Sequence, residues 1–218
     1  MVEEGATRLL VDTSPDLREQ LLDTGTRTLS GVLFTHGHAD HIHGIDELRE
    51  INRVTGRPLS VYATRETFDV LQSRFDYAFK GIPAGAPIFR PWLVPTVIEP
   101  ARPFQVDGIP VLPFVQDHGH DVTMGFRFGD IVYSTDILNL PEAAYDIVRG
   151  AKIWIVGAFA LTPHPTHAHV DKVLAWVDAL KPGLAVITHM SNSIDYELLK
   201  AALPEGVVPA YDGLVLEA

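Results

Sequence analysis

Cysteine is absent from this chain of 218 residues. That absence excludes a disulfide framework, a thiol nucleophile and cysteine-ligated metal sites, and it predicts a reducing, cytoplasmic setting. Basic residues are scarce as well. Lys and Arg number 17 against 28 Asp and Glu, a formal net charge of −11, and only five of the 17 are lysines. A protein that binds a polyanion carries a basic face. No stretch here supplies one, which argues against extended nucleic acid as the main partner but leaves room for a small anion held by a metal. Long apolar runs are missing too: the longest, Ile153 to Leu161, is too short to span a bilayer. The start, Met1-Val2-Glu3-Glu4-Gly5, is acidic and has no apolar h-region, so no secretory signal is expected. What is present is globular in composition, with 46% apolar and 21% charged residues. At this length folding buries about 70% of the unfolded surface, so one domain over residues 1–218 needs no staples.

Strand-like runs alternate with helical ones, and no internal repeat or low-complexity tract is found. Thr7 to Val11, Gly31 to Phe34 and Pro58 to Tyr62 read as short strands, and Ser14-Pro15 as the opening of a helix to about Leu22. A helix is expected over Arg65 to Arg74. Lys80 to Pro95, rich in Gly and Pro, reads as a loop long enough to form a lid or a homodimer contact. In the second half, Phe104 to Phe114, Thr123 to Phe128, Ile131 to Ser134, Ile153 to Val156 and Leu184 to Thr188 are the predicted strands. Glu142 to Val148 and Val170 to Leu180 are the predicted helices, the second with Val170, Val173, Leu174 and Val177 on one face and Lys181-Pro182-Gly183 as its stop. This pattern fits an α/β fold, an αββα sandwich of two mixed sheets flanked by helices, among other arrangements.

The histidines carry the chemical signal. All ten fall in four short clusters, at residues 36–43, 118–120, 164–169 and 189. Clusters at strand ends suit metal ligation, because loops there can aim several imidazoles at one point. In Thr35-His36-Gly37-His38-Ala39-Asp40-His41, His36 and His38 lie two apart in an extended turn and can grip one ion. Asp40 and His41 begin the next helix and can face a second. The bland alternative is a polar turn without a metal.

That segment resembles the metallo-β-lactamase superfamily, and the likeness extends from about Thr7 to the C-terminus. Tyr133-Ser134-Thr135-Asp136 is similar to the family's strand that ends in a bridging aspartate, Ile187-Thr188-His189-Met190 to its final histidine ligand, and Asp117-His118-Gly119 to its intermediate one. With His164-Pro165-Thr166-His167 added, the chain resembles the branch of the phosphoribosyl cyclic phosphate phosphodiesterases. The resemblance implies two divalent ions, zinc or manganese. His36, His38 and His118 would hold the first, Asp40, His41 and His189 the second, and Asp136 both. His120 competes with His118, which the His-Gly pair favours. Imidazole and carboxylate ligands without thiolate suit such ions, and two of them lower the pKa of bound water toward about 7. Counting Asp40, Asp136 and hydroxide against the two ions leaves about +1, which complements a phosphodiester monoanion.

The implied reaction is hydrolysis of a small anionic phosphodiester, a cyclic phosphate of a ribosyl sugar or nucleotide, by a hydroxide that bridges the metals. His167 and Asp40 carry over as catalytic residues, with His167 assisting the leaving group and His164 joining it in substrate binding. His167 lies at the mouth of the helix Val170 to Leu180, where an anion is favoured; its bland reading is a loop histidine that caps that helix. Asp12 and Asp117 are placed to orient ligand imidazoles, or else to cap turns. His43 and His169 read as local hydrogen bonders, and Arg49 as an exposed helix arginine. Against the family pattern, the chain is expected to lack a first N-terminal strand. Gly157 stands where relatives often have an acidic residue, and Asn192-Ser193 departs from the usual histidine-bearing sequence. The alternatives are a tRNA 3′-processing endonuclease, which relies on a basic arm not found here, and a non-catalytic, metal-dependent nucleotide or metabolite binder. Glyoxalase-type thioester hydrolysis gives His167 no role, and true β-lactamase activity normally uses a cysteine at the second metal.

Overall fold

The computed structural model describes residues 1–218, which form two compact units. The first comprises Met1–Glu99 with Gln105–Ile109, and the second Pro100–Phe104 with Pro110–Ala218. No helix is long and apolar enough to cross a membrane.

In the first unit the elements run β1 (Val2–Glu4), β2 (Thr7–Val11), α1 (Leu17–Asp23), β3 (Gly31–Leu33), α2 (Ala39–Ile42), a 3-10 turn, α3 (Leu48–Thr55), β4 (Leu59–Ala63), α4 (Arg65–Phe75) and β5 (Leu93–Val97). The sheet order is β1-β2-β3-β4-β5. β1 is antiparallel to β2, and every later pair is parallel. Parallel strands need helical crossovers on the sheet face. Here Leu17, Ile42, Ile45, Leu48, Ile51, Phe68 and Leu71 supply the apolar side chains that bury Leu10, Val32, Phe34 and Val61. α4 starts where Thr64 accepts a hydrogen bond from the Thr67 amide, a side-chain cap.

The second sheet has the order β12-β11-β10-β9-β8-β7-β6. Its strands are β6 (Phe104–Val106), β7 (Ile109–Asp117), β8 (Val122–Phe128), β9 (Ile131–Ser134), β10 (Ile153–Gly157), β11 (Leu184–Thr188) and β12 (Val207–Pro209), joined with α5 (Glu142–Val148), α6 (Val170–Leu180) and α7 (Tyr196–Ala202). β7, β8 and β9 are antiparallel neighbours, whereas β9, β10, β11 and β12 run parallel. Trp154 is the largest fully buried side chain. Its indole N–H donates to Ser134 Oγ at 3.0 Å, so the bulkiest core residue leaves no buried donor unpaired. α6 turns Val170, Val173, Trp176 and Leu180 into this core.

Two mixed sheets flanked by helices are therefore observed as expected, with several local corrections. A short strand, β1, precedes Thr7–Val11 and pairs with it. α1 starts at Leu17 rather than at Ser14-Pro15, because Leu17 N donates to Ser14 O and closes a turn first. The run Phe104 to Phe114 is broken by Asp107 and Gly108, whose φ angles of 47° and 96° make a turn. The expected loop ends at Trp92, not Pro95. Buried Asn52 holds both backbone groups of Trp92, accepting from its N–H and donating to its carbonyl, and so launches β5. Arg90 pins the preceding loop by donating to the carbonyls of Tyr77, Lys80 and Gly81. On α6, Trp176 belongs to the buried face, while Leu174 and Val177 sit at its margin.

Between α2 and the loop after β2 the backbones approach too closely for a side chain. Gly44 N donates to Thr13 O at 3.0 Å, and Thr13 N to His41 O at 2.7 Å, which ties the two segments together. A Cβ at residue 44 would lie 2.0 Å from Ser14 O, so the backbone must move to admit one. Gly44→Ala is expected to cost about 2 kcal/mol or more of stability, read from the urea midpoint at constant slope.

Candidate metal and substrate site

The first unit gathers one set of side chains at the carboxyl ends of β2 and β3. Asp12, directly after β2, has a φ of 60°, an uncommon conformation for a residue with a side chain and one that tends to mark functional loops. Its carboxylate is buried and takes three hydrogen bonds. Oδ1 accepts from Thr35 N at 2.8 Å; Oδ2 accepts from Thr35 Oγ1 and from His41 Nδ1, both at 2.8 Å. These bonds decide the imidazole tautomers. Thr35 has one hydroxyl proton and spends it on Asp12, so at 2.9 Å it accepts from His36 Nδ1. His36 and His41 both carry the proton on Nδ1 and present the lone pair of Nε2, as metal-binding imidazoles do.

The rings lie close together, with His36 4.4 Å from His38 and 4.3 Å from His41 between centroids. Asp40 Oδ2 is 3.4 Å from His41 Nε2, and its side chain is 61% exposed. Arg74 of α4 steadies the turn by donating to Gly37 O at 2.9 Å. Both predicted ligand pairs of this motif are thus brought to one place within the unit.

The second unit gathers the others at the ends of β7, β9 and β11. Asp136 and His189 have φ angles of 47° and 54°, again positive at positions just beyond parallel strands. Three imidazoles face the buried Asp136 carboxylate: His189 Nε2 at 3.0 Å from Oδ1, His118 Nε2 at 3.6 Å and His167 Nδ1 at 4.0 Å from Oδ2. One ligand atom from each of Asp136, His167 and His189 lies within 4.8 Å of the others, so His167 stands near enough to count among metal-holding groups as well as beside them. Thr135 Oγ1 donates to Asp136 Oδ1 at 2.8 Å.

His118, not the exposed His120, turns inward. Its Nδ1 donates to the carbonyl of Thr166 at 2.7 Å, and a carbonyl can only accept, so Nε2 again carries the lone pair. His167 stacks on Phe159 at 4.6 Å and lies nearly parallel to His189 at 5.2 Å. Burial pushes its pKa down to about 4; the neighbouring His118, His189 and His164 act in the same direction and Asp136 opposes them. His164 joins the ring cluster, 4.9 Å from Phe159 and 5.2 Å from His167.

Other predicted residues take different places. Asp117 does not orient the His118 ring. Its carboxylate accepts from Gly119 N at 2.7 Å and from the Asn139 amide, the turn-capping alternative, and these bonds hold it below the usual carboxylate range, Asn139 contributing most. His169 supplies the backbone start of α6 and makes no side-chain cap. His43 is exposed, with its ring 6.1 Å from Phe75. Arg49 is exposed and pairs with Glu50. Sequence reasoning missed Thr35, the Thr166 carbonyl, Phe159 and Arg74. Only Thr35 and Thr166, each beside a predicted histidine, left a signal to follow.

Residues 7–190 match the beta-lactamase superfamily domain family. An octanoyltransferase from Porphyromonas gingivalis is 29% identical over 98% of this chain, which spans only 43% of that protein's length. Among solved structures, a diphosphatase from the PhnP family is 31% identical, with a TM-score of 0.88 over 97% of this chain and 80% of the other. Zn2+-bound PqqB from Methylobacterium extorquens is 21% identical and shares the fold, with a TM-score of 0.74 over 100% of this chain and 86% of the other. The chain belongs to the metallo-β-lactamase-fold family, in the PhnP-like branch.

Asp12→Ala removes three buried hydrogen bonds and strands Thr35 and His41. A loss of about 3 kcal/mol in urea unfolding is expected, together with disappearance of the slowly exchanging His41 Nδ1–H resonance from the proton spectrum.

Proposed function

We propose that the chain is a binuclear metal-dependent phosphodiesterase acting on a small anionic substrate, a cyclic phosphate of a ribosyl sugar or nucleotide. The observation that carries this reading is the set of three imidazoles around the buried Asp136 carboxylate, within 3.0 to 4.0 Å of its oxygens. Neutral imidazoles and a carboxylate without thiolate are the donor set of zinc or manganese, so the residues present fit the ions that the family implies. His36, His38 and His118 would hold one ion, Asp40, His41 and His189 the other, with Asp136 shared. Bound there, such ions supply Lewis acidity and a hydroxide at neutral pH.

The chain's own residues supply the rest. Asp12, through Thr35 and directly, keeps His36 and His41 in the Nδ1–H tautomer. The Thr166 carbonyl does the same for His118. His167, packed against both Phe159 and His189, has its pKa lowered to about 4 by burial, and its ring would donate to a phosphoryl oxygen or assist the leaving oxygen. His164 lies beside His167, with its ring 5.2 Å away, and would share in holding the substrate.

The test counts bound metal on purified protein and assays bis(p-nitrophenyl) phosphate, a ribosyl 1,2-cyclic phosphate and, because a similar protein is named a diphosphatase, a diphosphate. Two ions per chain are expected, with turnover of the diesters lost on chelation and restored by zinc or manganese. Asp136→Asn should lower turnover at least 1,000-fold, on the order of what removal of a catalytic electrostatic group costs. His167→Ala should lower kcat about 100-fold while metal content stays unchanged. Two bound ions without turnover of any substrate would move the reading to a metal-dependent metabolite binder. Hydrolysis of the diphosphate alone would replace the cyclic phosphate as substrate.

A further inference from the structure

A buried polar truss stands behind Asp136, and none of its members belongs to the ligand set. Gln116 on β7 is fully buried. Its amide nitrogen donates to the Thr135 carbonyl at 2.9 Å and to Thr123 Oγ1 at 3.1 Å. Thr123, the cross-strand partner of Gln116 on β8, passes the interaction on: its hydroxyl donates to the Asp136 carbonyl at 3.0 Å. The backbone there needs this help. β9 pairs with β8 through Tyr133, and the positive φ of Asp136 then turns the chain away from the ladder. The carbonyls of Thr135 and Asp136 take side-chain donors instead.

The amide's orientation follows from its partners. A carbonyl can only accept, so the nitrogen faces Thr135 and Oε1 faces the other way. On that side lies Gly125, where a Cβ would come within 2.8 Å of Oε1 and 2.2 Å of Phe114 Cζ. Oε1 is buried and has no hydrogen-bond partner. An unpartnered buried acceptor costs stability, and an apolar side chain of the same size would avoid that cost. Stability alone therefore does not account for glutamine at this position.

We infer that Gln116, through Thr123, is a positioning residue for the metal-binding Asp136: the pair clamps the carbonyls on either side of the strained Asp136 backbone and so aims its carboxylate. The inference rests on the proposed metal centre. It predicts a separation that a merely structural role would not produce, in which ligand geometry suffers while the fold does not.

The test compares Gln116→Met, Thr123→Val and Thr123→Ser with the unmodified chain. Zinc affinity is measured by competition with a chromophoric chelator, fold stability by urea unfolding of metal-free protein, and turnover with bis(p-nitrophenyl) phosphate. Gln116→Met and Thr123→Val should each weaken zinc binding about 10- to 100-fold and lower kcat more than KM changes. The metal-free urea midpoint of Gln116→Met should stay at or above that of the unmodified chain. Thr123→Ser, which keeps the hydroxyl, should restore zinc affinity to within about threefold. Unchanged affinity in both Gln116→Met and Thr123→Val would overturn the inference and leave the metal centre standing. So would a loss of affinity matched by an equal loss of stability, with Thr123→Ser no better than Thr123→Val. A chain that takes up neither zinc nor manganese would overturn the metal-centre reading and this inference with it. If Gln116→Met does not fold, the Thr123→Val and Thr123→Ser pair decides alone.

Discussion

The carboxylate of Asp12 organises the histidine cluster of the first unit. Three bonds of 2.8 Å join the ends of β2 and β3 to the helix α2, and the same bonds settle which nitrogen of His36 and His41 is protonated. A ligand histidine that can rotate or change tautomer is a weak ligand, because part of the binding energy goes to fixing it. Here the fixing is done on folding. The second unit follows the same rule with a different acceptor, the Thr166 carbonyl on His118. His41 and His118 each have on Nδ1 an oxygen that only accepts, and His36 has the Thr35 hydroxyl, whose proton is spent on Asp12, so all three leave the Nε2 lone pair unprotonated.

The same positions carry strain. Asp12, Asp136 and His189 all have positive φ although none is glycine, and such conformations persist only when the surroundings over-determine them. The surroundings can be named. Asp12 N is tied to Leu33 O, and the carbonyls of Thr135 and Asp136 are held by Gln116 and Thr123. The parallel ladders of β9, β10 and β11 form a stiff platform from which the turns at Asp136 and His189 depart. Packing of Trp154 and the α6 face behind that platform lets it bear the load.

Much of this was legible in the sequence, and the parts that were not have a common cause. The strands β2, β9 and β11 and the helix α6 were readable because each is a local apolar pattern with local stop signals. The metal motif was readable because its histidines are close in sequence. By contrast, β5 depends on Asn52 gripping Trp92 forty positions away, and a Gly- and Pro-rich stretch gives no hint of that grip. β1 is three residues long and exists as a strand only through its pairing with β2. Asp117 and His118 are neighbours in sequence, yet their side chains serve different partners, since the ring turns to Thr166 and the carboxylate caps its own turn. Residue type and spacing reveal which groups are available; which oxygen each nitrogen meets is decided by tertiary structure.

A net charge of −11 works against an anionic substrate at first sight, and the length scales resolve the conflict. At physiological ionic strength charges beyond about 8 Å are largely screened, so most of the acidic surface acts only weakly on a small ion at the site. Within that distance the donors of the site and the ions they would hold decide the outcome. An extended polyanion would be treated differently, because it must lay many phosphates at contact range against a surface on which 28 acidic residues outnumber 17 basic ones. Repulsion then accumulates with each added phosphate while the attraction of the site is counted once. On the proposed reading, the acidic composition therefore favours one small phosphodiester over a chain of them.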